Sequence, residues 1–119
     1  MEMTEKDKNI LTHIVQHCET IFSSMKRFGD FSAFSKDTDY FNSVCMSLLQ
    51  IGELANHLSH EFRETHAGIP WRNIIGLRNV VVHGYGYLDS AAVWETLRED
   101  VPKLDGYCKE IIAKEGNTL

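Results

Sequence analysis

Within "GLRNVVVHGYGYLD", residues 76–89, stand Arg78, Asn79, His83 and Tyr85. An arginine is charged at every physiological pH and presents a planar fork that matches phosphate or carboxylate oxygens. A histidine exchanges its proton near neutrality and serves as base or acid. An anion-binding group and a proton-transfer group are therefore five residues apart. Asn79 and His83, four apart, are neighbours on a helix face, where the amide can orient the imidazole.

Three consecutive valines, Val80–Val82, favour a strand locally, and "GYG" could turn a hairpin. A lone hairpin is marginal, however, and nothing else in the chain offers a sheet to pair with. A helix from Pro70 to about His83, ended by Gly84, agrees better with the rest. On that helix Trp71, Ile74, Ile75, Leu77, Val81 and Val82 fill an apolar arc, and Arg78 projects from its middle. Arg72, Asn79 and His83 make a polar strip beside it. An arginine on a buried face needs a partner. It can snorkel to solvent, pair with a structural carboxylate such as Glu53, or await an anion such as a phosphate.

The flanking sequence is helical. A stripe of Ile10, Leu11, Ile14, Cys18, Ile21, Phe22 and Met25 predicts a helix over about 4–28, broken at Gly29. Asp30 and Asp37 are each placed to cap a following helix. Phe41, Val44, Leu48, Ile51, Ala55, Leu58 and Phe62 form one seam in steps of three and four, and Gly52 beside it would admit a neighbouring helix closely. After a cap at Asp89 or Ser90, Val93, Leu97, Val101, Leu104, Cys108 and Ile111 predict a last helix, kinked at Pro102. The expected fold is all-α: one domain over 1–119, an antiparallel bundle of four main helices plus a short one.

The chain has 119 residues and a formal net charge of −5, so it lacks the overall basic balance of a generic nucleic-acid binder. No apolar run could span a bilayer, and "MEMTEKDKNI" has no secretory core. Cys18, Cys45 and Cys108 are odd in number and lack a CxxC pair, which predicts reduced core thiols in a cytoplasmic protein. His13 with His17, and Glu53 with His57 and His60, have metal-ligand spacing but flank apolar stripes, so no metal or cofactor is expected. Tyr40, Tyr87 and Tyr107 read as amphipathic edge residues, and Trp71 and Trp94 as core or interface. Lys26 and Arg27 read as a solvated pair.

"IPWRNIIGLRNVVVHGY" resembles the signature of HEPN-domain proteins of the HepT-like toxin type, an Arg-x4-6-His with a polar residue after the Arg, then x-Tyr. The match is Arg78, Asn79, His83 and Tyr85. "IGELANHLS", "PWRNIIGLRN", "VHGYGYLD" and "VWETLREDVPKL" follow the family in order along essentially the whole chain. The three valines stand where relatives often carry more varied apolar or basic residues. The resemblance implies an all-helical homodimer with a metal-independent endoribonuclease site between protomers. It further implies a toxin role opposite an MntA-like nucleotidyltransferase antitoxin, which adds AMP to the motif tyrosine, here Tyr85.

The residues suit that chemistry. RNA is cut without metal when its 2′-hydroxyl attacks the adjacent phosphate, which needs a base, an acid and a cation. One chain offers a single motif histidine, and Arg78 and His83 lie about 140° apart around an ideal helix. A two-fold dimer would supply two of each around one cleft. The competing expectation, favoured by the acidic balance, is a non-catalytic nucleotide- or partner-binding subunit of a nucleotidyltransferase complex.

Overall fold

The computed structural model describes residues 3–84 and 90–116, with the backbone alone at 79–84 and 116. Its elements are α1 (Glu5–Phe28), α2 (Phe31–Lys36), α3 (Thr38–Asn56), α4 (His60–Thr65), α5 (Trp71–Gly84), α6 (Ser90–Glu95), a π-helical turn (Thr96–Asp100) and α7 (Val101–Gly116). The fold is an all-α bundle. α3 lies between α1 and α5, and α7 packs on α1.

The predicted stripes build the core. Ile10, Leu11, Ile14, Cys18 and Ile21 of α1 face Val44, Leu48, Ile51 and Ala55 of α3, with Leu97, Val101, Leu104 and Cys108 closing over them. Caps set the boundaries. The Thr4 side chain accepts from the Asp7 N–H at 3.1 Å and starts α1. Gly29 ends it with φ 113°, a left-handed conformation that disfavours other residues, while its N–H donates to the Met25 carbonyl. Asp30 and Asp37 cap α2 and α3 as expected, accepting from the Ser32 and Tyr40 N–H groups, each at 3.1 Å. α2 is anchored by Phe34, fully buried against Tyr40 and Trp94, with ring centroids 5.0 and 5.2 Å away.

Three expectations change. The seam expected to run unbroken from Phe41 to Phe62 is two helices, because α3 ends at Asn56 and α4 restarts at His60. Leu58 and Phe62 stay buried, so the apolar pattern continues through a break in the backbone. Tyr40 is a core residue, 2% exposed, whose hydroxyl donates to the Gly29 carbonyl at 2.9 Å. The last helix is divided by the π turn, in which the Val101 N–H reaches the Thr96 carbonyl. Pro102 has no N–H to continue the α-helical ladder and its ring crowds the preceding turn, so the irregularity falls just before it.

The restart at α4 depends on a contact missing from the sequence reading. Asp7 is 1% exposed although charged. Its Oδ1 accepts from the Ser59 N–H at 2.9 Å and its Oδ2 from the Ser59 hydroxyl at 2.7 Å. The same hydroxyl accepts from the Phe62 N–H at 3.1 Å and caps α4. The available signal was an aspartate in register with Ile10, Leu11 and Ile14. Burial pushes the Asp7 pKa up, but the Ser59 bonds and the Thr4 hydroxyl outweigh it and hold it below the usual carboxylate value. A depressed folded-state pKa gives stability that is present above the unfolded pKa and lost as pH falls through the folded one. Asp7→Asn is therefore expected to cost about 1–3 kcal/mol at neutral pH, since hydrogen bonds to charged groups contribute that much. Its thermal midpoint should fall less steeply than wild type's as pH drops below about 4. Equal slopes in the two proteins would show that Asp7 does not carry this acid sensitivity.

The three cysteines are buried and unpaired. Burial pushes the Cys45 thiol up to about 11, and burial with the nearby Asp105 carboxylate pushes Cys108 up to about 12. Burial likewise raises Cys18, with Asp105 adding to it. They remain protonated at neutral pH, which disfavours thiolate chemistry.

Candidate functional site on α5

The loop before α5 is fixed at several points. The Trp71 indole N–H donates to the His66 carbonyl at 2.7 Å, and the Tyr107 hydroxyl accepts from the Gly68 N–H at 3.0 Å. Gly68 lies so close to the Tyr107 ring that an added Cβ would sit 2.6 Å from it. Pro70 stands one residue before the helix instead of in its first turn, and its carbonyl accepts the first helical bonds from Asn73 and Ile74. Trp71 and Ile74 are buried and fasten the start of α5 to the core.

α5 is a helix through its valines, as expected, and runs to Gly84. Helical packing on α3 provides the tertiary contact that a lone hairpin would lack. The approach is close at Gly52, as its position beside the α3 seam suggested. A Cβ there would lie 2.8 Å from the Arg78 amide nitrogen, 3.1 Å from the Arg78 Cβ and 3.2 Å from the Ile75 carbonyl oxygen. Two of those three neighbours are backbone atoms, which cannot swing aside. Gly52→Ala is accordingly expected to destabilise the fold by about 1–3 kcal/mol, the usual range for overpacking. Denaturant unfolding measures this, and an unchanged midpoint would mean that the two helices separate at no cost.

Arg78 is less buried than its position on the arc suggested. The core-facing part of α5 is narrow, centred on Trp71 and Ile74, whereas Ile75, Leu77 and Arg78 are only partly covered. The Arg78 side chain is 31% exposed, with Nη1 3.5 Å from Oε1 of Glu53, itself 44% exposed. The pairing proposed from the sequence is present, at the edge of the α3–α5 contact. Arg72 is exposed. Asn79 and His83 lie on the same helix, while their side chains, together with Tyr85, Tyr87 and Asp89, fall outside the described residues.

Among the described residues no group of three His, Cys, Asp or Glu side chains could hold a metal ion. His60 pairs with Glu64 at 2.8 Å, and the His13 Nδ1 lies 2.7 Å from the Asn9 carbonyl oxygen. Among those residues, too, no helix is long and apolar enough to cross a membrane.

Comparison with known proteins gives a consistent family. The profile of the family described as "Ribonuclease HepT-like" matches residues 9–111. A protein of Caldanaerobacter subterraneus subsp. tengcongensis, provisionally named an RNase, is 37% identical over 105 residues, covering 88% of this chain and 93% of the relative. A protein of Thermococcus cleftensis named "Probable ribonuclease HepT" is 32% identical over 106 residues, covering 87% of this chain and 94% of its own length. A Methanocaldococcus jannaschii protein, also provisionally named an RNase, is 31% identical over 93 residues, or 71% of this chain and 85% of the relative. No solved structure matches the chain significantly. Residues 9–111 include α5 with Arg78 and His83, and the relatives are matched over most of their length. The chain belongs to the HepT-like ribonuclease family.

Proposed function

We propose that the protein is a metal-independent endoribonuclease of the toxin kind, acting in the cytoplasm as a homodimer of single HEPN-like domains. The observation that carries this reading is the position of Arg78 in a chain of this family. Its side chain, 31% exposed, stands at the edge of the α3–α5 contact, five residues before His83 on the same helix. That edge is accessible to an RNA phosphate.

In the proposed reaction His83 of one protomer takes the proton from a ribose 2′-hydroxyl. The 2′-oxygen forms a bond to the adjacent phosphorus while the bond from phosphorus to the 5′-oxygen breaks. The second protomer's His83 gives its proton to that leaving oxygen, so the products are a 2′,3′-cyclic phosphate and a 5′-hydroxyl. Arg78 stabilises the charge that gathers on the non-bridging oxygens. Asn79, one turn before His83, orients the imidazole, and Tyr85 contacts substrate. An MntA-like nucleotidyltransferase antitoxin silences the site by adding AMP to Tyr85, which brings bulk and negative charge into the path of RNA.

The test is cleavage of total RNA and tRNA in excess EDTA, after intact-mass measurement has established that the protein carries no AMP. Cutting under those conditions is the expected result. Failure of the unmodified protein to cut several RNA classes would favour a partner-binding subunit, the role to which the net charge of −5 is better suited.

A further inference from the structure

We infer that Glu53 is the positioning residue for Arg78, holding the guanidinium by one end so that its other edge is presented to the scissile phosphate. The inference deepens the ribonuclease reading above and rests on it.

Two neighbouring residues of α3 meet Arg78, one at its backbone and one at its tip. At its base, Gly52 lets the α3 backbone come so close that Arg78's own N and Cβ would lie 2.8 and 3.1 Å from any Cβ added there. At its tip, Oε1 of Glu53, the next residue of α3, lies 3.5 Å from Nη1. The glycine brings the helices together, and the glutamate beside it reaches the group that this approach delivers. A free arginine side chain samples many rotamers, whereas one whose tip is drawn toward a carboxylate samples fewer before substrate arrives.

The geometry of the pair suits positioning better than neutralisation. Charge-assisted contacts between a guanidinium and a carboxylate close to about 2.7–2.9 Å and are often two-pronged. Here the separation is 3.5 Å, between Nη1 and Oε1. The Nε and Nη2 donors form the other edge of the fork, the pair that can grip two oxygens of one phosphate. Both side chains are partly exposed, so solvent screens their attraction and RNA need not break a buried ion pair to enter.

The experiment measures single-turnover cleavage of one RNA oligonucleotide by wild type, Glu53→Ala, Glu53→Gln, Arg78→Ala and the double variant. Glu53→Ala should lower the cleavage rate constant about tenfold or more, because a small misplacement of a catalytic group is costly. Its half-saturating RNA concentration should move far less than the rate, since Arg78 keeps its charge beside the phosphate and loses only the orientation that serves the transition state. Glu53→Gln, whose amide oxygen can accept an N–H, should recover part of the rate. In the Arg78→Ala background, Glu53→Ala should change the rate less than about twofold, because the group that it positions is gone.

An equal loss in both backgrounds would overturn the inference and make Glu53 a structural residue or a direct participant. Faster cleavage by Glu53→Ala would also overturn it, marking the carboxylate as a guard. If Arg78→Ala is impaired while Glu53→Ala is not, positioning fails and the ribonuclease reading stands. Absence of cleavage by unmodified wild type would bring down both.

Discussion

Replacing His83 with alanine is expected to lower RNA cleavage by more than the about 10²–10⁴-fold that removing one positioned acid or base usually costs. The loss should exceed that of one proton transfer, because the proposed dimer uses the same residue twice. A homodimeric His83→Ala protein lacks both the base that takes the 2′-hydroxyl proton and the acid that protonates the leaving 5′-oxygen. Mixed dimers separate the two roles. If one cleft needs both imidazoles, a dimer with one variant chain should lose nearly all activity, not half of it. Retention of half the activity would mean that each protomer works alone, and the shared-cleft arrangement would be wrong. His83 lies in the last turn of α5. Thermal unfolding of the variant alongside wild type would separate a chemical loss from a folding defect.

The second large effect is expected at Arg78. Removing one preorganised group that stabilises developing charge costs about 10²–10³ in rate, so Arg78→Ala should fall in that range. Arg78→Lys should recover only part of it, since an ammonium is a compact point charge and cannot grip two phosphate oxygens as a fork does. Folding should be little affected. The Arg78 and Glu53 side chains are 31% and 44% exposed, and exposed ion pairs contribute about 0–1 kcal/mol. A rate near wild type for Arg78→Ala would remove the guanidinium from the transition state. A rate loss matched by a large drop in unfolding midpoint would instead mark Arg78 as structural. The comparison with His83→Ala is also informative. Loss of the proton-transfer group should leave RNA affinity largely intact, whereas loss of the guanidinium removes a phosphate contact and should weaken the salt dependence of binding.

Local sequence determined much of this protein. The spacing of Ile10, Leu11, Ile14, Cys18 and Ile21 defines the inner face of α1, and Gly29, Asp30 and Asp37 mark where helices stop and start. These are interactions within about one helical turn, between residues separated by two to four positions, so a linear reading can find them. The choice of helix over hairpin for the valine run was also legible, because no other segment could pair with a strand. So was Gly52, whose missing side chain marked a place where another helix could approach.

What only the tertiary structure decided lies between residues far apart in the chain. Leu58 and Phe62 continue the α3 seam in step, so periodicity is blind to the break at Asn56. That break is held by Ser59, whose N–H and hydroxyl both donate to Asp7, 52 positions earlier. Tyr40 reads as an edge residue until its hydroxyl is seen on the Gly29 carbonyl. Helical periodicity placed Arg78 mid-arc, but how deeply it is buried depends on how α3 and α5 pack, and they approach closely beside Gly52. Helical period and capping are properties of neighbouring residues, whereas burial and ion pairing depend on which faces the packed chain brings together. The sequence therefore named Arg78 and proposed Glu53 as its partner, and packing placed that pair at the accessible edge of the bundle.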